Sequence, residues 1–470
     1  MIQPRSPDST QKSSLNSALP GARAALLLLI CINLFNYIDR YVLAAVVDFV
    51  EKSFFPKDNA AAVPAALQNL QAWCQAHLGF KPELALIGVL GMAFMAVYMI
   101  GAPIFGRLAE RYSRWALVGV GVVLWSLASG ASGLAGGFFA LLLTRCFVGV
   151  GEAAYGPVAP TLISDFYPVQ VRGQVLAWFY MAIPVGSALG YVIGDNLARS
   201  GIGAWGERVL GIHAESWRWA FFVVVIPGIL LGVWSWLMKE PPRGQADLGH
   251  GTGAAKVQWR DYLVLLRTPS YVFCTLGMTA MTFAMGGIAF WMAYYLAQKQ
   301  GAPAAVKTYF GGITVVAGLS ATLLGGLVGD KLRSRFSGSY FLVSGVAMFA
   351  GFPFMLLTLR AAFPMIWVWL FIACFCLFFN TGPTNTILAN VSHPSLRAAA
   401  FALNIFVIHA FGDVISPLII GILSDRFGMN LAFAVVGGMF VVAGVLWLCG
   451  ARHLERDTRQ APMRLERSEQ

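Results

Sequence analysis

The chain has 470 residues, of which 58% are hydrophobic and only 12% are charged. Soluble domains carry about 25% charged residues, so this composition excludes a water-soluble globular protein. A membrane crossing needs about 20 apolar residues, and the apolar content suffices for about ten to twelve such helices. The net charge of +11 is therefore interpreted as a sign of membrane topology, and nucleic acid is not expected as a partner.

Apolar runs as long as a membrane-spanning helix recur along the chain and predict an all-α membrane protein with twelve transmembrane helices. The first run follows Arg23 and lacks a small-residue cleavage site, which indicates an uncleaved helix rather than a secretory signal. The predicted spans are residues 24–50, 84–105, 116–136, 138–164, 173–195, 217–238, 270–297, 307–329, 339–359, 363–391, 397–423 and 430–450.

Lysine and arginine residues orient these spans, because they favour cytoplasmic loops. With the N-terminus inside, the predicted inner segments hold about twice as many of them as the outer loops, to which we assign Lys299 and Lys307. We therefore expect a multi-pass protein of the cell (inner) membrane with both termini in the cytoplasm. Residues 1–17 are polar and are expected to be disordered.

An internal repeat divides the predicted helices into two halves. Gly156–Arg172 is echoed by Gly382–Arg397, and Gly106–Arg114 by Gly326–Arg335, with offsets of about 226 and 220 residues. Because the two pairs have nearly the same offset, they indicate that a unit of six spans was duplicated in parallel orientation, as in many secondary transporters. The predicted domains are a cytoplasmic N-terminal tail (1–23), an N-terminal six-helix bundle (24–238), a cytoplasmic linker (239–269), a C-terminal six-helix bundle (270–450) and a cytoplasmic C-terminal tail (451–470).

The repeated loop after the second span of each half combines a glycine with paired charges. Glycine permits close approach of helices, and a carboxylate can pair with basic groups or cap a helix N-terminus. Such a loop can join the halves on the cytoplasmic side in one conformation; the alternative is a plain basic inner loop. A lookalike, Gly421 with Asp425, falls at an outer end and is not assigned to this set. The candidate gating residues are Gly106, Glu110, Arg111, Arg114, Gly326, Asp330, Lys331 and Arg335.

Charged residues also occur inside the first and fourth predicted spans. Asp39 and Arg40 are adjacent, whereas Arg145 and Glu152 are two helical turns apart and so share a helix face. A charge within the bilayer costs several kcal/mol unless it faces water or a partner. We therefore expect these four side chains to form a polar, proton-coupling network in a central pathway. The alternative is two static ion pairs, Asp39 with Arg40 and Arg145 with Glu152.

His409 and Asp413 lie four residues apart in the eleventh predicted span, on one face of the helix. His409 can face the substrate cavity, or it can donate a hydrogen bond to a neighbouring helix. For Asp413, a structural and a functional role are given equal weight. No metal site and no catalytic residue is predicted. The candidates for the substrate cavity are Asn36, Arg40, Arg145, His409, Phe283, Met285 and Trp291.

Three motifs, NYIDRYVLAAV, VGVGEAAYGPVAPTLISDFYP and HAFGDVISP, resemble the Spinster branch of the major facilitator superfamily. The segment GRLAERYSR resembles the signature loop of that superfamily, Gly-x-x-x-Asp-Arg-x-x-x-Arg, with Glu110 in place of its aspartate. The resemblance implies two pseudo-repeated six-helix bundles that move amphipathic lipids such as phosphorylated sphingosine or lysophospholipids. By the same resemblance, Asp39, Arg40, Arg145 and Glu152 form the proton-sensing network and His409 faces the substrate cavity.

These observations predict a secondary transporter that moves an amphipathic solute, a lipid or lysolipid, by proton-linked alternating access as a symporter or antiporter. One alternative is a proton-coupled carrier of small organic anions or drugs that uses Arg40 and Arg145 as anchors. An alternative of another class is an intramembrane lipid-modifying enzyme that uses His409 and Asp413. The expected partners are the substrate, protons and membrane lipids, the protein is expected to be a monomer, and no cofactor is implied, since no nucleotide-binding loop is present.

Overall fold

The computed structural model describes residues 19–56, 63–243, 259–393 and 396–463. Its helices confirm the all-α class, and twelve of them are long and apolar enough to cross a membrane, as predicted. From first to twelfth, the spans are Ala22–Phe54, Glu83–Arg111, Arg114–Gly133, Phe138–Phe166, Gln174–Arg199, Ser216–Trp236, Pro269–Ala297, Val306–Arg333, Ser339–Arg360, Ile366–Val391, Ala399–Phe427 and Met429–Ala451.

Two spans are interrupted at corresponding places. The fourth consists of the helices Phe138–Tyr155 and Ala159–Phe166, and the tenth of Ile366–Phe378 and Thr381–Val391. Proline cannot donate a backbone hydrogen bond, and its ring crowds the carbonyl group four residues before it, which kinks or breaks a helix. A neighbouring glycine adds backbone freedom, so the Gly-Pro pairs of the repeat account for both interruptions. Four shorter helices lie outside the spans: Ala65–Leu78, Ile202–Leu210, Trp259–Leu266 and Leu454–Gln460.

The predicted disordered tail, residues 1–17, lies outside the described residues, as do residues 244–258 of the predicted linker. The division into tails, linker and two bundles stays a prediction.

The first of two compact units comprises Met1–Arg40, Val97–Gly190 and Ser200–Gly253. Its third and sixth spans approach closely through glycines, because a Cβ added at Gly119 would lie 2.9 Å from the carbonyl oxygen of Gly232. Small residues at such crossings let helix backbones pack in the absence of a hydrophobic driving force.

The second unit comprises Tyr41–Ala96, Tyr191–Arg199 and Ala254–Gln470. It contains spans seven to twelve together with the predicted outer ends of spans one, two and five. Its ninth and twelfth spans repeat the glycine crossing of the first unit, since a Cβ added at Gly345 would lie 3.1 Å from the carbonyl oxygen of Gly444.

Two arginines make the same local contact in the two halves of the repeat. Arg172 donates from its Nη2 atom to the carbonyl oxygen of Ser164 at 2.8 Å, and Arg397 donates from Nε to that of Ala389 at 3.0 Å. In each case the arginine follows an interrupted span and binds a carbonyl in its last turn, where carbonyls lack helical partners. The equivalence extends the sequence repeat to side-chain geometry.

Candidate proton-coupling and substrate site

A buried ion pair joins the first and fourth spans. The Nε and Nη2 atoms of Arg40 lie 2.7 Å and 2.6 Å from Oε2 of Glu152. Glu152 is fully buried, and Asn36, also buried, lies beside it. The guanidinium of Arg40 is held over the rings of Tyr37 and Tyr98, at 4.9 Å and 5.0 Å from their centroids. These contacts orient the arginine by both charge and ring stacking.

The remaining two charges of the network bind serines of the third span. Asp39 accepts a hydrogen bond from the hydroxyl of Ser129. Arg145 donates from Nη2 to the hydroxyl of Ser132 at 2.6 Å and lies over the ring of Phe221 at 5.1 Å. The sequence analysis missed both serines, although two serines three residues apart in an apolar span are a signal for hydrogen bonding between helices.

The observed pairing differs from both pairs that the sequence suggested. The ion pair is Arg40 with Glu152. Asp39 interacts electrostatically with both arginines, more strongly with Arg145 than with Arg40. Within the described part of the chain, Oδ2 of Asp39, Nε of Arg145 and Oε1 of Glu152 are buried and have no hydrogen-bond partner. Buried polar atoms are normally paired. Unsatisfied atoms on three neighbouring charged groups therefore fit a site where a proton or polar ligand binds and leaves.

Three side chains of the seventh span were predicted to line the substrate cavity, and the structure differs on two of them. Trp291 is fully buried and donates from Nε1 to the carbonyl oxygen of Pro417 at 2.9 Å. Phe283 is 5% exposed, and only Met285 keeps appreciable exposed surface. The first two side chains pack inside the second unit because the seventh span is its most enclosed helix, surrounded by neighbouring spans. In this conformation they form core rather than an open wall.

His409 and Asp413 lie on a π-helical turn in the eleventh span. The N–H of Val414 donates to the carbonyl oxygen of His409 at 3.1 Å, five residues back. Nδ1 of His409 lies 2.9 Å and 3.0 Å from the carboxylate oxygens of Asp413. Both side chains keep some exposure, 31% and 20%. Single π turns inside α-helices occur frequently at functional sites.

The gating candidates of the first repeated loop do not act as one group. The carboxylate of Glu110 is exposed, while its carbonyl oxygen accepts a hydrogen bond from Arg243. Arg114 is instead buried, 2.5 Å from Asp165 and 2.7 Å from Glu240. Burial opposes ionisation of Glu240, but the hydrogen bonds from Arg114, Ser113 and the N–H of Trp115, together with the charge of Arg114, lower the pKa of the Glu240 carboxyl. Arg114 thus belongs to a buried ion network of the first unit.

In the second repeated loop, Asp330 accepts a hydrogen bond from the Tyr340 hydroxyl at 2.8 Å. Arg111, Lys331 and Arg335 are exposed. The two loop glycines differ in their packing. A Cβ added at Gly106 would meet no described atom within 4 Å, so no close approach is seen there. A Cβ added at Gly382 of the tenth span would lie 3.2 Å from Cα of Gly326, so the expected close approach of helices occurs at Gly326.

Lys307 was assigned to a predicted outer loop, and that assignment is wrong. The lysine is the second residue of the eighth span and is fully buried, with Nζ 2.6 Å from Oδ1 of Asp48. No local pattern in the sequence pairs two residues so far apart in the chain. Among the described residues, no group of three His, Cys, Asp or Glu side chains could hold a metal ion.

Several known proteins are similar to this chain in sequence and in fold. The Major Facilitator Superfamily matches residues 29–412. The chain is 31% identical to protein spinster homolog 3 of Danio rerio, over 98% of this chain and 90% of that protein. It is 31% identical to the sphingosine-1-phosphate transporter SPNS2 of Mus musculus, over 89% of this chain and 76% of that protein.

Among solved structures, the fold is similar to that of a bacterial homolog of the human lysosomal transporter Spinster, in an inward-facing and unoccupied conformation. The TM-score is 0.80, with 21% sequence identity, over 94% of this chain and 99% of the other. This likeness concerns the fold.

Proposed function

Because the chain belongs to the Spinster branch of the Major Facilitator Superfamily and is therefore a multi-pass membrane transporter, we propose that it moves its cargo by proton-coupled alternating access. The family consists of transporters, so the lipid-modifying enzyme considered from the sequence is not retained. We further propose that it resides in the cell membrane with both termini in the cytoplasm, following the distribution of lysine and arginine.

The observation that carries proton coupling is the buried ion pair between Arg40 and Glu152, with Asp39 and Arg145 beside it. Protonation of Glu152 removes the charge that holds Arg40, so the guanidinium becomes available to an anionic cargo. Loss of the proton restores the pair and favours release. Any difference in proton affinity between two conformations shifts their populations by the same free energy, which is the linkage that coupling requires.

The proposed cargo is an amphipathic lipid with an anionic head group, such as a lysolipid or a phosphorylated sphingoid base. Arginine is suited to phosphate because its planar fork binds two oxygens at once, and the two tyrosine rings hold the fork of Arg40 in place. Arg145 is 2% exposed, so we assign the head group to Arg40 first. The similarity to the mouse relative, which is named as a sphingosine-1-phosphate transporter, supports this class.

A second candidate is a carrier of small organic anions. It is favoured by the burial of Phe283 and Trp291, because the broad apolar wall that a lipid tail needs is not presented by those two side chains in this conformation. Arg40 would bind such an acid without any apolar wall.

Flux into proteoliposomes with an imposed pH gradient tests both parts of the proposal. The panel contains lysolipids and phosphorylated sphingoid bases of increasing chain length, sugar acids and cationic drugs, with protein-free liposomes as the control. We expect gradient-driven flux of the anionic lipids, and affinity that rises by about 0.8 kcal/mol for each added methylene while room remains. Affinity that is flat with chain length but strong for short acids would replace the lipid with the organic anion. Flux indifferent to the gradient would remove proton coupling.

A further inference from the structure

A fully buried lysine links three spans at their predicted outer ends. Nζ of Lys307, in the eighth span, lies 2.6 Å from Oδ1 of Asp48 in the first and 3.3 Å from Oδ1 of Asp195 in the fifth. It also donates to the carbonyl oxygen of Ala45. Nζ therefore donates two hydrogen bonds, to Asp48 and to Ala45, and forms an ion pair with Asp195.

The charges around Lys307 balance. Asp195 is also bound by Arg199, whose Nε lies 2.8 Å from Oδ1, so two carboxylates face two cations. The ring of Phe49 lies under both cations, 5.2 Å from Nζ of Lys307 and 5.8 Å from the guanidinium of Arg199. Removing one member of a buried ion pair leaves an uncompensated charge and is strongly unfavourable, whereas removing both is often tolerated. Here, loss of Lys307 alone would leave Asp48 without an opposite charge.

A separate contact joins the second and eleventh spans at the same predicted end. The carboxylate of Asp425 accepts hydrogen bonds from the N–H groups of Leu84 at 2.9 Å and Ala85 at 2.7 Å. These amides begin the second span, where N–H groups lack helical partners and the helix dipole favours an anion. A Cβ added at Gly421 would lie 2.6 Å from the carbonyl oxygen of Leu84, so the two backbones are in close contact.

The packing between these two contacts is also tight. The hydroxyl of Tyr294, in the seventh span, lies 2.7 Å from Oε2 of Glu51 in the first. The hydroxyl of Tyr191 donates to the carbonyl oxygen of Ala289 in the seventh span, and its ring packs edge-on against Phe310 of the eighth. Spans one, two and five are thereby joined to spans seven, eight and eleven within the second unit.

We propose that Lys307 and Asp425 are positioning residues of transport, which together close the predicted outer end and set the population of the outward-open state. We call Asp48, Asp195, Lys307 and Asp425 the outer gate. The inference rests on the alternating access proposed above, because that cycle requires this end to open. When this end opens, water replaces the protein partners of each charge. Separating the paired charges into water therefore costs far less free energy than leaving one of them unpaired in the closed, buried state.

Hydrogen–deuterium exchange followed by mass spectrometry on the full-length protein in lipid nanodiscs tests the gate. Lys307→Met should raise the exchange of the amides in residues 83–96, on a span that does not contain the substitution, by about tenfold or more, because the closed state now buries an unpaired carboxylate. The matched control is Lys299→Met. Lys299 follows the seventh span, and its Nζ binds the carbonyl oxygens of Leu359 at 2.7 Å and Ala361 at 3.1 Å, at the end of the ninth span. Its described hydrogen bonds do not reach the first, second or fifth span, so the exchange of residues 83–96 should not change.

Two further variants separate gating from general loss of packing. Lys307→Met combined with Asp48→Asn removes both charges and leaves Asp195 with Arg199, so exchange should return toward that of the unmodified protein. Asp425→Asn should raise exchange in residues 41–56 and 191–199, which lie on other spans. Three results would each overturn the proposal. The first is a rise in exchange confined to the peptide that carries each substitution, and the second is an equal rise in Lys299→Met. The third is a rise in the double variant equal to the sum of the two single effects. The readout needs no cargo, so a failed lipid flux assay with the exchange pattern intact would refute the cargo and leave the gate standing.

Discussion

Replacing Glu152 with glutamine tests proton coupling with little change in the shape of the fourth span. Both nitrogen atoms of Arg40 that bind this carboxylate contact the same oxygen, at 2.7 Å and 2.6 Å. A hydrogen bond to a charged partner contributes about 1.5 to 3 kcal/mol and a neutral one about 1 kcal/mol. The substitution removes the carboxylate charge that pairs with Arg40, but the amide can still accept from Arg40 and the two tyrosine rings still hold the guanidinium. We therefore expect Glu152→Gln to cost less stability than the roughly 3 to 5 kcal/mol of a fully broken buried ion pair. The protein should therefore still fold and insert.

The functional effect should be much larger than the structural one. The amide cannot gain or lose the charge that holds Arg40, so cargo flux driven by a pH gradient should fall to the rate of protein-free liposomes. Binding of the anionic cargo at equilibrium should persist, since the arginine remains in place. The measurements are thermal unfolding in detergent, cargo binding, and flux in proteoliposomes with and without the gradient.

The matched control is Glu207→Gln, on a glutamate whose side chain is 56% exposed, and it should leave all three measurements unchanged. Gradient-driven flux at the normal rate in Glu152→Gln would refute the assignment of this carboxylate to coupling. A loss of folding in the same variant would show that the ion pair is chiefly structural, which is the alternative raised by the sequence.

Three further outcomes are expected. Arg40→Lys should weaken binding of phosphate-bearing cargo about tenfold while the charge is kept, because the planar fork is lost; equal affinities in a binding titration would contradict this. If the exposed carboxylates of Glu110 and Asp330 join the halves in another conformation, then Glu110→Gln with Asp330→Asn should lower the population closed on the cytoplasmic side. Label distances between the inner ends of the second and eighth spans would measure it, and an unchanged distribution would restrict these loops to topology. Glu240→Gln should destabilise the protein by about 1 to 2 kcal/mol at neutral pH. Because the pKa of Glu240 is lowered by Arg114 despite burial, this stabilisation is present above the ordinary pKa of glutamate and is lost as the pH falls through the lowered value. The difference in unfolding temperature between the variant and the unmodified protein should therefore shrink in acid, and a constant difference would disprove the ionic origin.

The spans could be predicted because their length depends on the membrane rather than on partners within the protein. The seventh was predicted at residues 270–297 and is observed at Pro269–Ala297, and the twelfth at 430–450 and observed at Met429–Ala451. The repeat could also be predicted from the sequence, because the glycines, prolines and arginines at the interrupted spans recur in the second half at nearly the same offset.

Pairings between spans could not be predicted in the same way. They depend on how each helix is rotated about its axis and on where it crosses its neighbours, and neither quantity is encoded in local hydropathy. Arg40 therefore binds Glu152 rather than the adjacent Asp39. Lys307 illustrates the same limit, because a lysine at a span boundary is normally exposed to water. Its burial is explained by carboxylates on two other spans, one of them 259 residues away in the chain.

The π-helical turn in the eleventh span changes the phase of every side chain that follows it in that helix. Such a turn holds one residue more than an α-helical turn, and each α-helical residue advances the side chains by about 100°. Asp425 lies in the helix Ser416–Phe427, directly after the turn, so its alignment with the amides of the second span depends on that added residue. If the same residues continued as a regular α-helix, Asp425 would lie about 100° out of phase with these amides. The π turn takes up one more residue in a single turn, and it therefore determines which side chain at the far end of the span faces the second span.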